Sequence, residues 1–197
     1  MVELMSRLPF IRNENLTPDQ QTVWDNITNG RRGDAARMIN DQGGLVGPFN
    51  AALHAATTGK KVVTLGESLR FDTSLDNRLL ELAVCMVGAH WRSNFEWWAH
   101  SRMAIAAGIS EAAVTAIGAG QEPELTADDE RAIYAFTHSL LSAGRVSDEV
   151  YTAAQAHVGN QGMAELGQLI GYYCLISLTL NTFQVELPPG QEPAWPY

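Results

Sequence analysis

The chain has few of the residues on which several common classes of protein depend. It contains two cysteines and two lysines among 197 residues, and its 13 basic side chains are outnumbered by 22 acidic ones. Cys85 and Cys174 lie far apart within apolar stretches, so their spacing fits neither a disulfide framework nor a zinc ribbon. We expect both to be buried free thiols.

The shortage of basic residues also bears on the partners of the protein. A formal charge of −9 disfavours nucleic acid and anionic membranes, because both are bound through clustered lysine and arginine. Lys60 and Lys61 stand side by side in a polar setting, which does not suit a Schiff-base mechanism. We therefore expect neither nucleic acid nor a membrane as partner, and a small-molecule substrate if the protein is an enzyme.

Long uninterrupted apolar runs are scarce as well. Glu3 and Arg7 interrupt the first eleven residues, so these do not read as a signal peptide, and we expect a cytoplasmic protein. The stretch 166–183 has the length of a membrane span, but its polar residues favour a buried helix or an oligomer interface. The length of 197 residues fits one domain, and 46% hydrophobic residues are enough for a sizeable core. We therefore predict a single domain over 1–197 with its core at 45–185.

Helix signals recur along the whole chain, and convincing strand alternation is missing, so the predicted class is all-α. Asp76 begins a helix to His90 with apolar residues on almost every side, and a second helix follows from about Asn94 to Ala107. The tight turn between them predicts a central antiparallel helix hairpin. Residues 186–197, with four prolines, predict an extended C-terminal arm, and we expect Trp195 and Tyr197 to dock on the domain or on a neighbouring subunit.

One face of the second hairpin helix carries the residues that could do chemistry. Ser93, Glu96 and His100 are spaced i, i+3 and i+7, which places them on a single face. Glu96 can orient the imidazole of His100, an arrangement that general acid-base catalysis uses. Glu81 lies on the preceding helix in a nearly all-apolar setting, where a carboxylate needs a partner.

Spacing alone leaves two other interpretations open. Glu96 and His100 could form an ordinary exposed i,i+4 pair, worth about 0.3–0.5 kcal/mol. Glu81, Glu96 and His100 could also bind a metal, as Glu and Glu/His sets do on facing helices, but a second matching set is missing and we expect no metal and no cofactor. Further candidates are residues that could line a pocket and bind substrate: Phe49, Asn50, His54, Trp97 and Tyr172.

Four segments resemble the carboxymuconolactone decarboxylase family, which also contains alkyl hydroperoxidase D (AhpD). They are Gly47 to His54, Leu80 to Val84, Phe95 to His100 and Leu169 to Tyr173, and they occur in order between about residues 45 and 185. The resemblance implies an AhpD-like helical domain that assembles into homotrimers or homohexamers.

The match departs from the peroxidase branch of that family at two positions. In the peroxidase motif, a glutamate and a histidine frame a Cys-x-x-Cys pair, and they align with Glu81 and His100, whereas Ser93 and Glu96 occupy the cysteine positions. A serine and a glutamate cannot form a redox disulfide, so the dithiol mechanism is chemically excluded. The chain looks more like the decarboxylase branch, which lacks the cysteine pair.

The resemblance implies a cofactor-free lyase or isomerase that acts on a small carboxylated lactone or an enolisable acid. His100 would be the acid-base group, oriented by Glu96, with Glu81 as its partner or second acid and Ser93 as a donor to the substrate. A non-catalytic oligomeric scaffold or binding protein of the same fold is the alternative. In that case the pocket would be closed or lined only by apolar groups, and Glu81 would pair with a structural arginine. A Glu/Glu/His metalloenzyme is the third interpretation.

Overall fold

The computed structural model describes residues 6–32 and 38–197 of the chain. Within this part, eight α-helices follow one another and no strand forms, since the pairings Arg12 with Gly44 and Ile39 with Leu45 are isolated bridges. The all-α prediction is confirmed. The helices are α1 (Pro18–Thr28), α2 (Phe49–His54), α3 (Ala56–Phe71), α4 (Asn77–His90), α5 (Asn94–Ala106), α6 (Glu111–Gly118), α7 (Asp128–Ala143) and α8 (Asp148–Phe183).

Side-chain caps explain where several helices begin. At α1, Thr17 accepts a hydrogen bond from the Gln20 backbone, and the Gln20 side chain accepts one from the Thr17 backbone, which completes a capping box. At α4, the carboxylate of Asp76 accepts a 2.9 Å hydrogen bond from the backbone N–H of Arg78. These polar residues therefore set the start of the helices, as their sequence pattern indicates.

The last helical stretch follows its sequence pattern in outline. The pattern predicts a helix start at Ser147 and a separate helix over about 163–185, and the 36 residues of α8 are two helices joined by a kink at Gly159, where φ is 66°. By length and composition α8 could cross a membrane, and half of its most apolar window is buried. A buried core helix passes the same test, so one such helix is weak evidence for a membrane protein.

The backbone contacts group into two compact units. Unit 1 comprises residues 1–72 and 179–188, and unit 2 comprises residues 73–178 and 189–197. The expectation of one domain over the whole chain stays a prediction. The core of unit 1 is formed by α1, α2, α3 and the segment before α2, and its innermost side chains are Val23, Ile27, Leu45, Leu53 and Val63.

Helix α4 is the centre of unit 2. Ten of its 14 residues are buried, because its apolar side chains surround it and α5, α6 and α7 pack against it. The turn at 91–93, where Arg92 has φ 47°, joins α4 to α5 and forms the predicted hairpin. Arg78 joins the start of α4 to the start of α7 through 2.6 Å ion pairs with Asp129 and Glu130.

The chain just before α4 is held by one carboxylate of α8. Glu165 accepts hydrogen bonds from the Thr73 hydroxyl at 2.8 Å and from the Ser74 backbone and hydroxyl at 2.8 Å and 2.7 Å. Partial burial alone would raise the pKa of Glu165, but these bonds and one from Gln161 lower it to about 2. Glu165 therefore stays ionised and fixes the entry to α4.

Substitutions at two glycines test how closely α3 approaches α2. A Cβ at Gly59 in α3 would overlap the backbone of Ala52 in α2, whereas a Cβ at Gly167 in α8 would meet nothing within 4 Å. We expect Gly59→Ala to lower the free energy of unfolding by about 1–3 kcal/mol, as overpacking does. Gly167→Ala, the control, should leave it unchanged or raise it by up to about 1 kcal/mol, because alanine favours the helix. Urea unfolding measures both, and equal stabilities would contradict the close approach.

Candidate active site

Three buried side chains of unit 2 form one contiguous group. The Nδ1 atom of His100 lies 2.6 Å from Oε2 of Glu81, and its Nε2 atom lies 3.3 Å from Oε2 of Glu96. Glu81 is 1% exposed, Glu96 5% and His100 6%. The imidazole therefore lies between two carboxylates inside the protein, hydrogen-bonded to Glu81 and within ion-pair distance of Glu96.

The close packing of α4 on α5 brings these groups together. Glu81 comes from α4, whereas Glu96 and His100 are one turn apart on α5. A Cβ at Gly88 would lie 3.3 Å from the backbone nitrogen of Trp97 and 3.4 Å from Cβ of Glu96. A glycine at this position therefore allows the two helices to approach until Glu81 reaches the imidazole.

The burial of Glu96 and His100 rules out one of the interpretations drawn from the sequence. An exposed i,i+4 pair would keep Glu96 and His100 in water, but both are almost completely buried, so that interpretation is wrong. The roles of the carboxylates also differ from expectation. Glu81 makes the short contact that orients the ring through Nδ1, and Glu96 faces the other nitrogen at a longer distance.

The arrangement is unsuited to a metal ion. Each carboxylate faces a different nitrogen on a different edge of the imidazole, so the three groups do not converge on a common point. Within residues 6–32 and 38–197, no group of three or more His, Cys, Asp or Glu side chains could hold a metal. The metal interpretation therefore receives no support from the geometry.

Ser93 is the residue immediately before α5 and shares the buried face of Glu96 and His100. Its side chain is 0% exposed, and its backbone N–H donates a 2.9 Å hydrogen bond to the carbonyl of Gly88. The hydroxyl does not cap α5, and it meets no hydrogen-bond partner in the described part of the chain. A buried hydroxyl in this position is available to donate to a bound molecule.

The aromatic neighbour of His100 is Tyr173. Its ring meets the imidazole edge-on, with 5.0 Å between the ring centroids, whereas the Tyr172 ring packs against Tyr173. Both tyrosines are buried in α8. The spacing could not distinguish them, because adjacent residues on a helix differ by about 100° in direction and only packing selects one.

Three other sequence candidates lie in unit 1, and two of them, Asn50 and His54, bind the segment at residues 9–11. The Asn50 amide donates to the carbonyl of Pro9 at 3.1 Å and accepts from the backbone of Ile11, and Nε2 of His54 lies 2.9 Å from that same Pro9 carbonyl. Phe49 lies beneath the guanidinium of Arg32 at 5.3 Å. Their described contacts are therefore structural.

Two of the arginines near the site in sequence are bound elsewhere. Arg78 pairs with Asp129 and Glu130, and Arg102 binds Gln191 and lies 4.8 Å above the Trp98 ring. Arg92 is exposed. The described contacts of Arg78 and Arg102 thus assign neither of them to a substrate carboxylate.

Cys85 is a neighbour of the site that sequence reasoning left out. It follows Glu81 by one turn of α4 and is fully buried. Burial, and then the negative charge of Glu81, raise the pKa of the Cys85 thiol to about 12. The expectation of two buried thiols holds for Cys85, whereas Cys174 is half-buried.

Comparison with known proteins supplies the name of the fold. No family model and no curated protein matches the chain. A solved structure from Agrobacterium tumefaciens, described as a protein of unknown function and provisionally as the antioxidant defence protein AhpD, matches with a TM-score of 0.62 at 17% identity. The match covers 71% of this chain and 96% of that one. The chain has an AhpD-like helical fold. At this identity the likeness supports the fold alone, and the decarboxylase branch stays a proposal.

The thiol of Cys85 provides a test of the buried site. In a Cys174→Ser variant, Cys85 is the only thiol, and its burial and raised pKa leave very little reactive thiolate at pH 8. We expect no labelling by a disulfide reagent in the folded protein and one thiol per chain after denaturation. Rapid labelling of the folded variant would contradict the burial of α4.

Proposed function

We propose that the protein is a cofactor-free proton-transfer enzyme, a lyase or isomerase that acts on a small enolisable acid or carboxylated lactone. The observation that carries the proposal is the buried imidazole of His100 between two carboxylates. Glu81 is hydrogen-bonded to one ring nitrogen and Glu96 lies within ion-pair distance of the other, so both carboxylates can stabilise a protonated ring, and an imidazole that takes up and releases a proton is what acid-base catalysis requires. Dithiol peroxide reduction is excluded, because the positions of the redox pair carry Ser93 and Glu96.

Each group has a part in the proposed reaction. Glu81 orients the ring through Nδ1, and the proton that is transferred moves between Nε2 of His100, Glu96 and the substrate. In a decarboxylation, the bond to the carboxylate carbon breaks, carbon dioxide leaves, and the electron pair remains as an enolate that takes the proton at carbon. Ser93 would donate to the enolate oxygen, and Tyr173 would form the wall beside the ring.

The near-complete burial of the three residues also favours a second candidate, a non-catalytic oligomeric protein of the same fold. In that case the contacts of His100 with Glu81 and Glu96 would serve only to neutralise buried charge. The contact of Glu81 with His100 would then be structural. One experiment distinguishes the two candidates.

Deuterium exchange is that experiment, and it works even when the substrate is not identified. A panel of small lactone acids and enolisable acids in D₂O is followed by proton NMR, which reports exchange, isomerisation and decarboxylation together. We expect the native protein to act on at least one compound, and His100→Ala and Glu96→Gln to slow it by about 10²–10⁴-fold.

The control for this assay is His138→Ala, which removes an exposed histidine of the same unit. It should leave the rate unchanged. Full activity in a folded His100→Ala variant would overturn the assignment, and inertness of the native protein toward the whole panel would favour the non-catalytic candidate.

We also propose a cytoplasmic homotrimer or homohexamer. Support comes from Leu175 and Leu178, which lie on one face of α8 and are 45% and 44% exposed. Light scattering after size exclusion should give three or six chains, and Leu175→Glu with Leu178→Glu should reduce the mass to that of a smaller species. A native monomer would contradict the proposal.

A further inference from the structure

The end of the C-terminal arm binds along α5 within unit 2. The side chain of Asn94 donates a 2.9 Å hydrogen bond to the carbonyl of Trp195 and accepts a 3.0 Å hydrogen bond from its backbone N–H. One amide therefore binds both backbone groups of a single arm residue. This is how a protein holds an extended segment, whatever its side chain.

A second attachment lies one to two turns further along the helix. Oε1 of Gln191 accepts hydrogen bonds from Nε1 of Trp98 at 3.0 Å and from the guanidinium of Arg102 at 2.5 Å. The two attachments thus extend along α5 from Asn94 to Arg102. A helix bound at separated points resists both sliding and rotation.

Trp97 connects the arm to the interior of unit 2. Its ring packs edge-on against Trp195, with 5.4 Å between the centroids, and it also lies against Gly118 of α6, where a Cβ would be 2.5 Å from the Trp97 ring. Trp97 follows Glu96 in sequence. The arm therefore contacts the part of α5 next to the site through the indole of Trp97, which packs between Trp195 and Gly118.

The two contacts of His100 depend differently on the position of α5. Glu96 and His100 belong to the same helix, so their contact moves with it. Glu81 belongs to α4, so the 2.6 Å contact with Nδ1 crosses from one helix to the other. Any displacement of α5 along or about its axis lengthens the second contact first.

We propose that the arm is a clamp that positions α5 and thereby sets the contact between His100 and Glu81. Gln191 and Trp195 are positioning residues on this proposal, and they touch neither the imidazole nor the carboxylates. The proposal concerns the geometry of the pair and is independent of the reaction proposed above. If the arm only covered the indoles of α5, its loss would lower the stability of the fold and leave the Nδ1 resonance of His100 unchanged.

The test uses full-length protein with an unaltered α5. In Gln191→Ala/Trp195→Ala, long-range nitrogen-proton NMR of the histidine rings reports on each nitrogen of His100, assigned by its absence in His100→Gln. Glu81→Met, which keeps the length of the side chain and removes both oxygens, provides the reference spectrum for a broken contact. We expect the Nδ1 resonance of the arm variant to move from the native position toward that reference.

The matched control is Glu192→Ala/Pro193→Ala, which alters two exposed residues of the same arm. It should keep the native Nδ1 resonance. The side-chain amide signals of Asn94 report whether the arm has detached, because Asn94 binds the backbone N–H and carbonyl of residue 195, which every variant keeps. A native Nδ1 resonance with a detached arm would overturn the proposal. If the double variant fails to fold by circular dichroism, Gln191→Ala alone takes its place with the same two outcomes.

Discussion

The hydrogen bond from His100 to Glu81 is the constraint on which unit 2 depends. Two carboxylates and an imidazole are almost completely buried there, and buried charge is tolerated only when it is paired. Removing one partner from such a pair typically costs about 3–5 kcal/mol, because the other is left uncompensated. The spacing of α4 and α5 must therefore satisfy both the apolar packing and this polar contact.

Several features of unit 2 serve that spacing. Gly88 lets the backbones approach, and Glu165 fixes the chain where it enters α4. The C-terminal arm binds α5 on residues other than those that face the site. Each feature is separate in sequence, but all of them act on the relative position of the same two helices. The site is thus a property of the packing and not of one motif.

The chemistry open to this arrangement is narrower than the fold allows. Ser93 and Glu96 carry no thiol, and the neighbouring Cys85 has a pKa of about 12. Such a thiol is not a nucleophile at neutral pH. Proton exchange at the buried imidazole is therefore the chemistry that we propose for this site.

Helical class, the hairpin and the shared face of Ser93, Glu96 and His100 follow from the sequence itself, because apolar periodicity and helical spacing act over a few residues. The grouping of Glu81 with Glu96 and His100 was implied by the resemblance to a family motif, since spacing within one helix does not reach across the hairpin. Which nitrogen each carboxylate meets was decided only by tertiary packing, as was the choice of Tyr173 over Tyr172. The same holds for Asn50 and His54, whose pattern indicates pocket residues but which bind the carbonyl of Pro9. Such contacts join residues distant in the chain, and no local spacing encodes them.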